Sequence, residues 1–153
     1  MARYSASLET RLSPAACFAY LSDMSNAAEW DPGIAEAEKM TDGPVRVNST
    51  FRLATTLLGR KITGLYRVTS MTPPSEITFQ SETTILRAQD AITIEKTREG
   101  SRITYNAILV GKGPLGVLDP ALGLVFRRTT ARTLAGLKRH LASLAREEHR
   151  KHA

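Results

Sequence analysis

Residues 119–146 read DPALGLVFRRTTARTLAGLKRHLASLAR, and this stretch decides the fold. Asp119-Pro120 is a helix start: a capping residue followed by proline at the first helical position, where the missing N–H is harmless. Leu122, Phe126, Thr129, Thr130, Thr133, Leu137, Leu141 and Leu144 then recur at three- and four-residue steps. Arg127, Arg128, Arg132, Lys138, Arg139 and Arg146 take the opposite side. This spacing predicts an amphipathic helix from Pro120 to Arg146, on the order of 40 Å long at 1.5 Å per residue. A helix of that length with a continuous apolar stripe needs an equally long apolar surface to lie on.

The preceding sequence supplies one. Tyr4, Ala6, Leu8 and Leu12 alternate with polar residues, which predicts a half-buried strand. Ser13-Pro14 repeats the cap-plus-proline grammar and opens a short helix through Leu21, and a second short turn carries Ala27 to Trp30 before Asp31-Pro32-Gly33 stops it. From Ile34 to Leu109 the period is two. Phe51, Leu53, Thr55 and Leu57 share one strand face; Ile62, Gly64, Tyr66 and Val68 share the next. Ile77, Phe79 and Ser81, then Leu86, Ala88, Asp90, Ile92 and Ile94, then Ile103, Tyr105, Ala107 and Leu109 continue the pattern, with turns at Thr41–Pro44, Pro73–Ser75 and Arg98–Gly100. Strands at this spacing make an antiparallel meander with one dry face. The class is α+β.

With 153 residues, 42% hydrophobic and 24% charged, the chain is sized and composed for one globular domain that needs no metal or disulfide staple. Its single cysteine, Cys17, falls in an apolar helical stretch and is expected to be a buried, inert thiol. The N-terminal residues alternate rather than forming an apolar run, and no stretch reaches the length of a membrane span, so the expected compartment is the cytoplasm. The net charge of +6 is concentrated between Arg127 and Lys151, spread over a helix face without aromatic interleaving. That is a solvated face rather than a nucleic-acid footprint. The tail from about residue 147 is expected to fray.

The order strand, two short helices, six-strand meander and long amphipathic helix resembles the Bet v 1-like (START-type) helix-grip superfamily. The likeness is greatest to its polyketide cyclase/dehydrase and lipid-transport (SRPBCC) branch. The residues that carry it are Ser13-Pro14 with Phe18-Ala19-Tyr20-Leu21, Trp30-Asp31-Pro32, Thr41-Asp42-Gly43-Pro44 before Phe51-Arg52-Leu53, Ile103-Thr104-Tyr105, and Leu118-Asp119-Pro120. These motifs are structural. The resemblance implies a curved seven-stranded antiparallel sheet wrapped around the C-terminal helix, enclosing an apolar pocket.

Small residues at predicted inward positions fit such a pocket: Gly64, Ser81, Ala88 and Ala107 on the sheet, and Gly123 and Gly136 on or beside the helix stripe. Those glycines either keep space or let backbones approach closely. The expected lining is Trp30, Phe51, Leu53, Ile62, Gly64, Phe79, Ala88, Ile92, Ala107, Leu122, Gly123, Phe126 and Thr130. Asp90 stands between Ala88 and Ile92 on an inward face, where a carboxylate must be hydrogen-bonded or protonated. It is the candidate acid–base group, unless a bulge turns it outward. Tyr66 and Tyr105 sit on inward faces too, either orienting a ligand oxygen or simply packing. Trp30 either covers one cavity end or anchors its helix turn.

No nucleophile elbow, complete phosphate loop or dinucleotide fingerprint occurs. The histidines cluster at His140 and beyond, and His149 and His152 lie in the tail, so no metal and no cofactor is expected. The function these features imply is binding of a hydrophobic small molecule (lipid, isoprenoid or polyketide-like) for carriage or sensing, by a monomer or weak homodimer. The alternatives are a cofactor-free cyclase, aromatase or dehydrase, and a protein-interaction module. Several convergent polar groups in the cavity would favour an enzyme; a nearly dry cavity would favour a carrier.

Overall fold

The computed structural model describes residues 2–57, 59–114 and 119–151. Strand β1 (Ala2–Thr10) leads into α1 (Pro14–Leu21), a 3-10 turn (Met24–Asn26) and α2 (Ala27–Trp30). Strands β2 (Ile34–Lys39), β3 (Thr50–Leu57), β4 (Arg60–Thr72), β5 (Glu76–Glu82), β6 (Leu86–Lys96) and β7 (Ser101–Gly111) follow, and α3 (Asp119–Lys151) closes the chain. The seven strands form one antiparallel sheet in the order β1-β7-β6-β5-β4-β3-β2, curled into a half-barrel. Register shifts between Ile34 and Glu36, and between Val68 and Ser70, add local bends of the kind that β-bulges impose.

Local chemistry explains the entry elements. Ser13 Oγ accepts a hydrogen bond from Ala16 N at 3.2 Å, satisfying one orphan donor of α1. Cys17 on that helix is fully buried, and desolvation raises its thiol pKa, consistent with the inert thiol the sequence predicts. The outer edge strand β2 carries Glu36 and Glu38, which pair with Arg52 and Lys61 and so charge an edge that could otherwise recruit another strand.

The inward face of the sheet is filled at one end and hollow at the other. Register defines two filled rows, Ile77–Ile92–Tyr105 and Ile94–Ile103–Leu8. Phe18 and Leu21 of α1 and the fully buried Leu137 and Leu141 of α3 belong to the same core. Phe51 and Phe79 meet edge to face, centroids 6.2 Å apart. Across the hollow end, register sets Tyr66–Ser81–Ala88–Leu109 in one row, with Gly64 opposite Leu53. Gly64, Ser81 and Ala88 there leave the space that the isoleucines fill in the other rows.

Helix α3 runs five residues further than the sequence predicted, to Lys151. The tail residues are mostly Arg, Glu and Lys, strong helix formers, and cations in a last turn complement the negative end of the helix dipole. Its predicted outer cations, Arg127, Arg128, Arg132, Lys138, Arg139 and Arg146, are all exposed. Gly136 is a close-approach glycine rather than a spacer: an added Cβ would lie 2.1 Å from the Trp30 carbonyl oxygen. A second tie joins the helices nearby. Tyr20 donates to Glu29 at 2.7 Å, His140 stacks on Tyr20, and His140 Nε2 lies 3.4 Å from the same Glu29 oxygen. No helix among the described residues is long and apolar enough to cross a membrane.

Candidate functional site

The hollow end is a cavity of about 170 Å³. Its walls come from every inward strand face that the sequence marked with a small residue. Strands β3 and β4 give Leu53, Ile62 and Gly64; β6 and β7 give Ala88 and Ala107; α2 closes one side with Trp30. Asp90, Tyr66 and Tyr105 all reach the same space. Phe51, Phe79 and Ile92 do not line it: they are buried in the core, although Phe51 pairs with Tyr66 and Phe79 with Asp90 across the sheet. They share the inward face, and Phe51 and Phe79 pack edge to face on each other. The side chains of Leu122, Phe126 and Thr130, and the surroundings of Gly123, lie outside the described residues, as do Leu118 and the side chains of His149 and His152.

Two residues of the candidate site were not legible as such in sequence. Asp31 ends α2 and lines the cavity beside Trp30, and Thr133 of α3 faces it. Asp31 Oδ1 accepts from Gly33 N at 2.8 Å and from Thr133 Oγ1 at 3.0 Å. The first bond is the ordinary turn chemistry of Asp-Pro-Gly, and that reading concealed the second. The signal that could have found it is the presence of threonines, Thr133 among them, on the otherwise apolar stripe of the helix.

Asp90 occupies the row Phe79–Asp90–Ala107, so its immediate neighbours across the sheet are apolar. Burial raises its pKa to about 7, the Tyr105 phenol donating to its carboxyl moderates the rise, and the charge of Asp31 adds to it. Burial also pushes the Asp31 carboxyl and the Tyr66 and Tyr105 phenols upward. Tyr66 makes no hydrogen bond among the described residues, so its hydroxyl is an unused donor at the cavity wall. The site therefore combines an apolar lining with one protonatable carboxyl at neutral pH, two phenols and a second carboxyl held by α3. Among the described residues, no cluster of His, Cys, Asp and Glu is placed to hold a metal ion.

A stability test follows from Asp90. An unfolded aspartate releases its proton near 3.9, whereas folded Asp90 keeps it to about 7. Below both values the group adds no penalty. Between them the stability of the fold declines as pH rises, and above about 7 the cost is complete. The stability of the wild type relative to Asp90→Asn is expected to drop by roughly 2–3 kcal/mol between pH 5 and pH 8. Urea unfolding of both proteins at the two pH values measures it; a difference that ignores pH would mean an ordinary, hydrated carboxylate.

A larger groove of about 910 Å³ lies outside, between β1, the β6–β7 turn and the last turns of α3. Lys138, Arg146 and Arg150 line it together with Glu9, Glu99 and Glu148, so it is a mixed-charge surface groove. The inner cavity, apolar over much of its wall but with carboxyls, phenols and hydroxyls converging on it, has the character of a ligand site.

Fold and site together define a container: a curled sheet gripping a long helix around an internal pocket. Residues 1–142 match the family described as polyketide cyclase / dehydrase and lipid transport, and the chain belongs to that family. Its fold is that of a START superfamily protein from Mycobacterium smegmatis (TM-score 0.78, 14% identity, covering 93% of this chain and 98% of that one). The protein TTHA0849 from Thermus thermophilus is similar (TM-score 0.76, 14% identity, 94% and 97% covered). So is the di-domain ARO/CYC StfQ from the steffimycin biosynthetic pathway, of which the chain covers 51% while 95% of the chain is covered (TM-score 0.72, 18% identity). No curated protein matches the chain in sequence.

Proposed function

We propose that this protein binds a small, largely apolar ring compound in the cavity, with the ligand's polar group directed at Asp90, Tyr105 and Tyr66. The observation that carries the reading is an apolar pocket whose wall holds a hydroxyl, that of Tyr66, with no partner among the described residues. Buried polar groups are nearly always satisfied, and a ligand oxygen or nitrogen, or a water it displaces, would satisfy this one. The volume sets the scale: about 170 Å³ is close to the roughly 150 Å³ that takes a benzene ring, and below the roughly 300–1,000 Å³ of larger ligand sites. One or two rings suit it better than an extended acyl chain. Native mass spectrometry of gently purified protein is expected to show a retained adduct of that size; an adduct of lipid mass would overturn the size assignment.

A second reading has its own support. Asp90, with a pKa raised by burial to about 7 and the Tyr105 phenol beside it, is poised for general acid–base work, as a cofactor-free cyclase or dehydrase requires. Asp31 and Thr133 add convergent polar groups that a simple carrier does not need. The di-domain ARO/CYC StfQ, by its name a protein of the steffimycin biosynthetic pathway, has the same fold. The two readings separate in Asp90→Asn, which keeps the shape and removes the titrating proton. A carrier is expected to lose about 1–3 kcal/mol of affinity at most. An enzyme is expected to keep affinity and lose about 10²–10⁴-fold in turnover of a polyketide-like substrate.

A further inference from the structure

The cavity is electrostatically one-sided. The titratable groups facing Asp90 are Tyr105 on β7, Tyr66 on β4 and Asp31 at the end of α2. Among the described residues no Lys, Arg or His lines the space, and Arg127, Arg128 and Arg132 of α3 point to solvent. Proteins pair buried carboxylates with cations or hold them neutral, because an isolated ionised carboxylate loses its hydration without return. Here Asp90 has a phenol, and Asp31 has one backbone N–H and one hydroxyl, both on Oδ1. Asp31 Oδ2 accepts no hydrogen bond from any described residue. Two acids, a spare carboxylate oxygen and a phenol with no partner among the described residues share one pocket, and the only charge its described residues can acquire is negative.

We propose that the ligand supplies the missing cation: a protonated amine carried on one or two apolar rings, its nitrogen between Asp90 and Asp31 and its rings against Ala88, Ala107 and Trp30. This rests on the cavity being a small-molecule site. A carboxylate of the same shape is disfavoured, since it would add a like charge to a pocket in which no described residue is basic. The amine is bound best when Asp90 is ionised. Its affinity therefore rises with pH, by about tenfold between pH 6 and pH 8 for a group titrating near 7.

The test titrates the full chain with benzylamine, benzyl alcohol and benzoate at pH 6 and pH 8, following the methyl NMR signals of Ala88 and Ala107 so that surface binding is not counted. Benzylamine is expected to bind at least tenfold more tightly than benzyl alcohol at pH 8, and benzoate to leave both methyls unmoved. Asp90→Asn is expected to flatten the pH dependence of the amine, and Asp31→Asn with Asp90→Asn to erase its preference. Benzyl alcohol binding with no amine preference in the wild type overturns the inference while leaving the small-molecule site intact. Failure of all three probes to move either methyl overturns both. The wild-type series decides the matter even if the double variant does not fold.

Discussion

A chain ended before Asp119 is expected to show no cooperative thermal unfolding and to bind apolar dyes from the lowest temperatures. The sheet alone cannot bury its concave face. Leu137 and Leu141 are fully buried by that face, and α3 packs along β1, so truncation strips the filled end of its cover. Removing either leucine side chain alone, as Leu137→Ala or Leu141→Ala, is expected to cost about 2–5 kcal/mol. Two such losses approach the whole stability of a typical domain, about 5–15 kcal/mol. Differential scanning calorimetry of the truncated chain checks this. A sharp transition near the wild-type temperature would show the helix to be an appendage.

The second large effect falls on a residue that the general rule would improve. In an exposed helix interior, replacing glycine by alanine stabilises by about 1 kcal/mol. Gly136→Ala is expected to do the reverse and destabilise by about 1–3 kcal/mol, as overpacking does. The new Cβ would lie 2.1 Å from the Trp30 carbonyl oxygen, and backbone cannot swing aside like a flexible side chain. Either α3 lifts from α2 or the turn carrying Trp30 and Asp31 moves, and both open the cavity wall. Chemical unfolding measures the stability. The direction of the change decides: a stabilised Gly136→Ala protein would show that the helix already stands off from α2.

How much of this was legible in the sequence depends on the kind of information each feature needs. Strand faces follow from a period of two, and Leu53, Gly64, Ala88 and Asp90 needed nothing more to be placed inward. Position along the strand is different. Phe51 has the same parity as Leu53, and Ile92 the same as Asp90, yet one of each pair lines the cavity and the other is core. Periodicity carries no signal for where the hollow begins along a strand, because that is set by packing between elements distant in sequence. Asp31 was hidden for another reason: its local turn role was sufficient to explain its presence, and its partner Thr133 lies 102 residues away. Gly136 was ambiguous between space and contact until the Trp30 carbonyl was placed beside it. The end of α3 was underestimated because charge density was read as fraying where it is also good helix composition.

The half-filled sheet has a consequence for how such a chain can change over generations. Residues that set ligand shape, such as Gly64, Ser81 and Ala88, belong to rows several residues along the strands from Ile94 and Ile103, which hold the fold. Neighbouring inward rows stand about 7 Å apart, so changes two rows away share few partners and their effects should nearly add. A lineage can therefore recut the pocket one side chain at a time without first accumulating spare stability, and its ligand can drift while its architecture stays still.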